Sequence, residues 1–201
     1  MSAAIAVPDV TAPARDLDLQ VVPCLSQEGL ALIYLRAQAQ GLLKWFWHNK
    51  IPPLSEVLAT YDPNNPQTIA YGCVWTRNGE PQMVGLGEGH GMTEMADGTR
   101  RIEVGMLFLK EIHNTDLPLE FAALMLDDAF PRLNLNAAYG ITPVLNRAAV
   151  RFIHRTGFEK LAVLPNYVNF RGRPCDAVMS VMTRERWETG IMHNYQDRKA
   201  A

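Results

Sequence analysis

Cysteine is scarce in this chain: Cys24, Cys73 and Cys175 are the only three in 201 residues. An odd number without Cys-x-x-Cys spacing argues against a disulfide framework and gives a metal site no ligand set. Reduced, mostly buried thiols are expected instead. A basic excess is also missing. Lysine and arginine number 19 against 21 aspartate and glutamate, for a formal net charge of −2, and a protein that grips a phosphate backbone usually carries the opposite balance. Nucleic acid is therefore not an expected partner. No apolar run approaches the ~18 residues of a membrane span, and the opening MSAAIAVPDVTAPARDLD has neither the basic start nor the apolar stretch of a signal peptide. The expectation is a cytoplasmic protein with no membrane partner. Internal repeats and low-complexity linkers are absent as well.

What is present suits an ordinary globular chain. Hydrophobic residues make up 48% and charged residues 20%, and the length is enough to bury a core within one domain. Residues 1–15 read as a flexible arm, 16–190 as a single domain and 191–201 as a C-terminal tail. DLQVVPCL offers a short strand, and Ser26 is placed to cap the helical spacing of SQEGLALIYLRAQAQGLLKWFWHNK, which Pro52-Pro53 ends. LSEVLATY reads as a second, short helix. Three strand patterns follow, TIAYGCVWT, PQMVGLGEGHGM and TRRIEVGMLFLKEI, with turns at Arg77-Asn78-Gly79 and Ala96-Asp97-Gly98. These make an antiparallel meander.

The pattern then alternates. PLEFAALMLDDAFPRL reads as a helix, NAAYGITPV as a strand, NRAAVRFIHRTG as a helix, and EKLAVLPNYVNF and AVMSVMT as a closing strand pair around RGRPCD. A strand, crossover helix and strand imply parallel pairing. The fold class is therefore mixed α/β: one central sheet, antiparallel at its start and parallel in its middle, with helices on both faces.

Several stretches of the second half carry a joint resemblance. RIEVGMLFL holds an acidic residue, an aliphatic and a glycine at Glu103, Val104 and Gly105; Glu120 and Ala129-Phe130 lie in the helix after it. Asn146, Ala149 and Gly157-Phe158 follow at spacing, and Gly172, Asp176 and Trp187 close the series. In order and spacing these resemble the GCN5-related N-acetyltransferase family, and within it the subgroup similar to ribosomal-protein N-acetyltransferases. The likeness covers about residues 100 to 188; the first half shares only the order of elements.

The resemblance implies an acyl-CoA-dependent N-acetyltransferase that acts by direct transfer on a small amine or a protein amino group. It implies a splay near Leu109, where the strands RIEVGMLFL and NAAYGITPV part and Leu107, Phe108 and Leu109 line the slot for the pantetheine of acetyl-CoA. Asn146 and Ala149 would meet the same arm, while Asn146 also suits a helix cap. The loop after the fourth strand would hold the pyrophosphate with backbone N–H groups at a helix start. There the family has Arg-Gly-x-Gly, and this chain has His113, Asn114, Thr115 and Asp116. Both glycines are gone. Asn tolerates the left-handed region, but the Asp116 carboxylate would confront a pyrophosphate, and Thr115 or Asp116 reads equally as a plain cap ahead of Pro118. A non-catalytic binding or structural module of this fold is thus the competing expectation.

Glu103 is the candidate general base, because strand alternation sets it on one face with Gly105 and Leu107; the competing role is a strand glutamate paired with Arg100 or Arg101. Glycines at 85, 87, 89 and 91 leave one strand face bare, while Leu86, Glu88 and His90 share the other, and a Glu88–His90 proton relay is a weaker candidate. The family's tyrosine acid is replaced here by Ile153. Trp45-Phe46-Trp47-His48 lies where the acceptor wall would form. A homodimer is one assembly this reading leaves open.

Overall fold

The alternating stretches become strands of one sheet in the structure, a computed structural model that describes residues 19–47, 50–65, 69–170 and 172–190. The expected arm, the expected tail and His48 lie outside the described residues. The strands are β1 (Leu19–Pro23), β2 (Ile69–Arg77), β3 (Glu80–Glu94), β4 (Arg100–Phe108), β5 (Leu135–Pro143), β6 (Glu159–Phe170) and β7 (Arg173–Thr183), in the spatial order β1-β2-β3-β4-β5-β7-β6. Neighbours are antiparallel except β4 and β5, which run parallel. The helices are α1 (Gln27–Ala39), α2 (Leu54–Thr60), α3 (Leu117–Arg132), α4 (Arg147–Arg155) and α5 (Arg184–Thr189). None of the described helices is long and apolar enough to cross a membrane.

Local chemistry accounts for the punctuation. Asn78 and Gly79 both take positive φ, 54° and 79°, the two-residue turn whose twist suits the β2–β3 hairpin. Ser26 caps α1, accepting from Gly29 N–H at 3.2 Å. The helical spacing predicts that α1 runs on toward Pro52, but it stops at Ala39. Gly41, at φ 69°, turns left-handed while Gly41 and Leu42 N–H return to the carbonyls of Gln38 and Ala37. This double bond closes a helix wherever a glycine can take the turn. The chain then makes a 3₁₀ turn, Leu43–Trp45.

Alternation in β2–β4 divides the core. Ile69, Tyr71, Cys73, Val84, Ile102 and Val104 pack with Phe121, Met125, Leu126 and Phe130 of α3. On the other face Ala70, Leu86 and Leu107 pack with Leu30, Ile33 and Tyr34 of α1. The bare face of β3 is filled by protein: a Cβ at Gly87 would lie 2.3 Å from Met125 Sδ and 3.0 Å from Phe121 Cε1, and one at Gly89 would lie 2.5 Å from Ile102 Cδ1. These glycines make room for α3 and its neighbours. Gly91 leaves the row through a bulge, at φ 62°.

The parallel pairing is brief. It runs from Arg100 opposite Leu135 to Glu103 opposite Tyr139 and ends there, although β4 continues to Phe108 and β5 to Pro143. The expected splay is present but opens directly after Glu103 rather than near Leu109. Aromatic rings bridge the gap on both faces. Phe108 meets Phe121 and Phe152 edge-on at 5.7 and 5.4 Å on the α3–α4 side, and Trp45 stacks on Phe170 at 4.9 Å on the α1 side.

Candidate functional site

Past the splay, the edge of β4 is open. Leu109 N–H donates to Val84 O at 2.8 Å, so by antiparallel alternation Leu107 and Leu109 spend their backbone groups on β3, while Met106 and Phe108 turn theirs toward β5. The side chains of Leu107 and Leu109 are buried in the α1-side core. Of the three residues expected to line a pantetheine slot, only Phe108 presents its backbone there. His113 partly fills that position: its Nε2 donates to Phe108 O at 3.0 Å.

The junction to α3 has kept one feature of a glycine-supported loop and lost another. Asn114 sits at φ 63°, the conformation a glycine would take without cost. The donors of the first helical turn, however, are largely spent. Thr115 N–H returns to Ile112 O, Leu117 N–H meets the Thr115 hydroxyl at 3.3 Å, Leu119 and Glu120 N–H share Asp116 O, and Pro118 has no N–H. Only Asn114 and Asp116 N–H are without a protein partner among the described residues. Thr115 does the capping; the expected cap from Asp116 is absent, because its carboxylate turns outward and lies 4.0 Å from Arg155 Nη2. The approach is braced from α1. Gln40 Oε1 accepts from Lys110 N–H at 2.8 Å, and Arg36 and Gln40 both hold Glu111 at 2.8 Å. Burial works against the Glu111 charge, yet these partners keep its carboxyl below the ordinary range.

The α1-side face carries the titratable groups. His90 lies opposite Glu103 across β3–β4, Nε2 to Oε1 3.6 Å, and its Nδ1 is 3.8 Å from Glu88 Oε1. Arg100, one of the two arginines considered as partners for Glu103, instead meets Glu94 at 3.3 Å. Burial pushes the Glu88 carboxyl above the usual carboxylate range; His90 pulls it back and Glu103 adds to the push. The Glu103 carboxylate holds His90 above an ordinary histidine against partial burial, with Glu88 adding to the effect. A Cβ at Gly105 would lie in ordinary contact, 3.4 Å from Phe46 Cε2 and 3.5 Å from Glu88 Oε1, so Phe46 lies close over this acidic group at the root of the splay. Tyr139, opposite Glu103 in the parallel register, extends the same row.

On the far bank, Asn146 caps α4 by accepting from Ala149 N–H at 3.2 Å, so both groups are engaged within the helix. Ile153, at the position of the missing tyrosine, packs on Gly140, where a Cβ would lie 2.1 Å from its Cδ1. Sequence reasoning weighed the Glu88–His90 pair and Glu103 separately and did not single out Tyr139. Their union depends on strand register, for which a linear pattern has no signal beyond alternation.

No family profile matches the chain, and no curated protein matches it in sequence. Solved structures do match. A spermidine N-acetyltransferase from Vibrio cholerae, in complex with CoA and spermine, superposes with TM-score 0.74 at 17% identity over 86% of this chain and 99% of that one. A dodecameric form of that enzyme gives 0.68 at 17% identity over 86% and 97%. The ribosomal-protein-S5-alanine acetyltransferase from Vibrio fischeri gives 0.67 at 14% identity over 84% and 93%. At these identities the likeness is one of fold.

Proposed function

From a chain with the fold of the GCN5-related N-acetyltransferases, we propose an N-acetyltransferase that moves an acetyl group from acetyl-CoA to a small amine or a protein amino group. The observation that carries this reading is the open β4 edge: Met106 and Phe108 turn their backbone toward β5 across a gap that begins at Glu103, and only the Phe108 carbonyl is met, by His113. An extended amide-bearing arm can pair with such an edge as an added strand would. Acetyl-CoA would supply the activated thioester. Phe108 and Asn146 flank the slot, and Glu103 takes the proton that the attacking amine must lose. The carboxylates of Glu103 and Glu88, offset in part by His90 between them, are what draws a cationic amine there. The neighbours named for a polyamine and for a protein alanine support the same acceptor class.

Calorimetric titration with acetyl-CoA, followed by thiol release in the presence of polyamines and peptide amino termini, tests the reading. Binding below millimolar concentration and amine-dependent release are expected; no binding at millimolar acetyl-CoA removes it. Glu103→Gln should then lower turnover with little change in cofactor affinity, since it keeps the shape and removes the proton acceptor. Turnover unchanged across the pH range clears Glu103 of the role.

A second reading, a non-catalytic module of the same fold, is favoured by the junction. Its first-turn donors are spent internally, and His113 already occupies the Phe108 carbonyl.

A further inference from the structure

Helix α4 concentrates positive charge in a chain whose net charge is −2. From Arg147 to Arg155 it holds three arginines and His154, and no acidic residue. Arg147, Arg151 and Arg155 recur at intervals of four, which aligns them along one side of the helix, and all three are exposed. The opposite side is committed to packing through Phe152 against Phe108 and Ile153 on Gly140. Like charges at this spacing repel one another, so the row weakens the helix that carries it. Arg147 and Arg151 have no hydrogen-bond or ion-pair partner among the described residues. Arg155 has one, the Asp116 carboxylate at 4.0 Å. That contact brings the end of the row to the β4–α3 junction, beside the unpaired N–H groups of Asn114 and Asp116.

We propose that Arg147, Arg151 and Arg155 form the site for the phosphate groups of coenzyme A, replacing the glycine-supported loop that the junction lacks; this rests on the acetyl-CoA reading above. Guanidinium groups grip phosphate through paired, charge-assisted hydrogen bonds and do so at the reach of a long side chain, without close backbone approach. Three in a row suit a ligand with more than one phosphate. Asp116 then holds Arg155 until a phosphate displaces it.

The test is calorimetric titration of wild type, the double variant R147Q/R151Q and the single variant Asp116→Asn with CoA, pantetheine and adenosine 3′,5′-bisphosphate at low and high salt. The double variant should weaken CoA about tenfold or more, as expected for lost charge-assisted bonds, flatten its salt dependence and abolish bisphosphate binding, with pantetheine unaffected. Asp116→Asn should shift CoA affinity the other way, upward about severalfold, by releasing Arg155. A merely structural role for these side chains predicts no such opposite signs. Both variants remove exposed charge, and retained thermal melts establish that they fold. CoA binding that is indifferent to the arginines and to salt overturns the proposal while leaving the acetyl-CoA reading intact. Arginine-dependent binding of the bisphosphate without binding of CoA or pantetheine sinks the acetyl-CoA reading and, with it, the assignment of these arginines to coenzyme A.

Discussion

His90 stands between two carboxylates, and its protonation is linked to folding. Its folded pKa is raised above the ordinary 6.5, so the stability it contributes is fully present below about pH 6.5 and is lost as pH rises through the raised value. Glu88 acts in the same direction. Its carboxyl is raised from 4.5 chiefly by burial, so its contribution is present below about pH 4.5 and is lost as pH rises through its own raised value. Thermal melts should therefore show wild type losing stability as pH rises above about 6.5, and His90→Gln should flatten that part of the slope. Identical slopes in the two proteins would mean that His90 makes no such pairing in solution. Asn114 offers a second test at this scale. At φ 63°, Asn114→Ala should cost about 1–2 kcal/mol in urea unfolding, while Asn114→Gly should be neutral or slightly stabilising. Equal losses for both would mean that the asparagine side chain, and not its backbone angle, is what the junction requires.

Elements meet where residues are small. Gly87→Ala would set a methyl 2.3 Å from Met125 Sδ and 3.0 Å from the Phe121 ring. The thioether can swing away, whereas Phe121 is fully buried and cannot, so denaturant unfolding should report a loss of about 1–3 kcal/mol. A neutral result would mean that α3 sits farther from β3 in solution. This strand also marks how far the sequence could be read. The glycine row is plain in GLGEGHG, yet its occupant comes from a helix more than thirty residues later in the chain, which periodicity cannot supply. The same gap between local and long-range information explains the early stop of α1: apolar spacing continues through Gly41, but a glycine placed to turn left-handed outweighs it. Strand order of the meander and the single parallel pair were legible because hairpin turns and a crossover helix leave few alternatives. The point where β4 and β5 part was not legible, because the rings that meet there come from five separate elements.

At the scale of the whole molecule, β6 is the last strand of the sheet and exposes Leu161, Val163 and Tyr167, 58%, 43% and 58% accessible. A long apolar edge of this kind pairs with another strand unless something covers it. The expected outcome is a dimer in sedimentation analysis that Val163→Lys converts to monomer; a wild type that is monomeric at tens of micromolar removes the expectation. Sequence reasoning left assembly open because an edge strand looks like an interior one until the sheet order is known. That order carries a further consequence for how the protein is made. β7 is synthesised after β6, yet it lies between β5 and β6. Until residue 183 has left the ribosome, β5 and β6 each lack the neighbour that β7 provides, and four paired positions are all that join β5 to β4. The nascent chain therefore carries a finished meander and an unfinished second half with open edges. Closure of the sheet, and with it the far bank of the cleft, waits on β7: a chain cut within β7 loses its partner strands' cover and becomes a template for aggregation rather than a smaller version of the same fold.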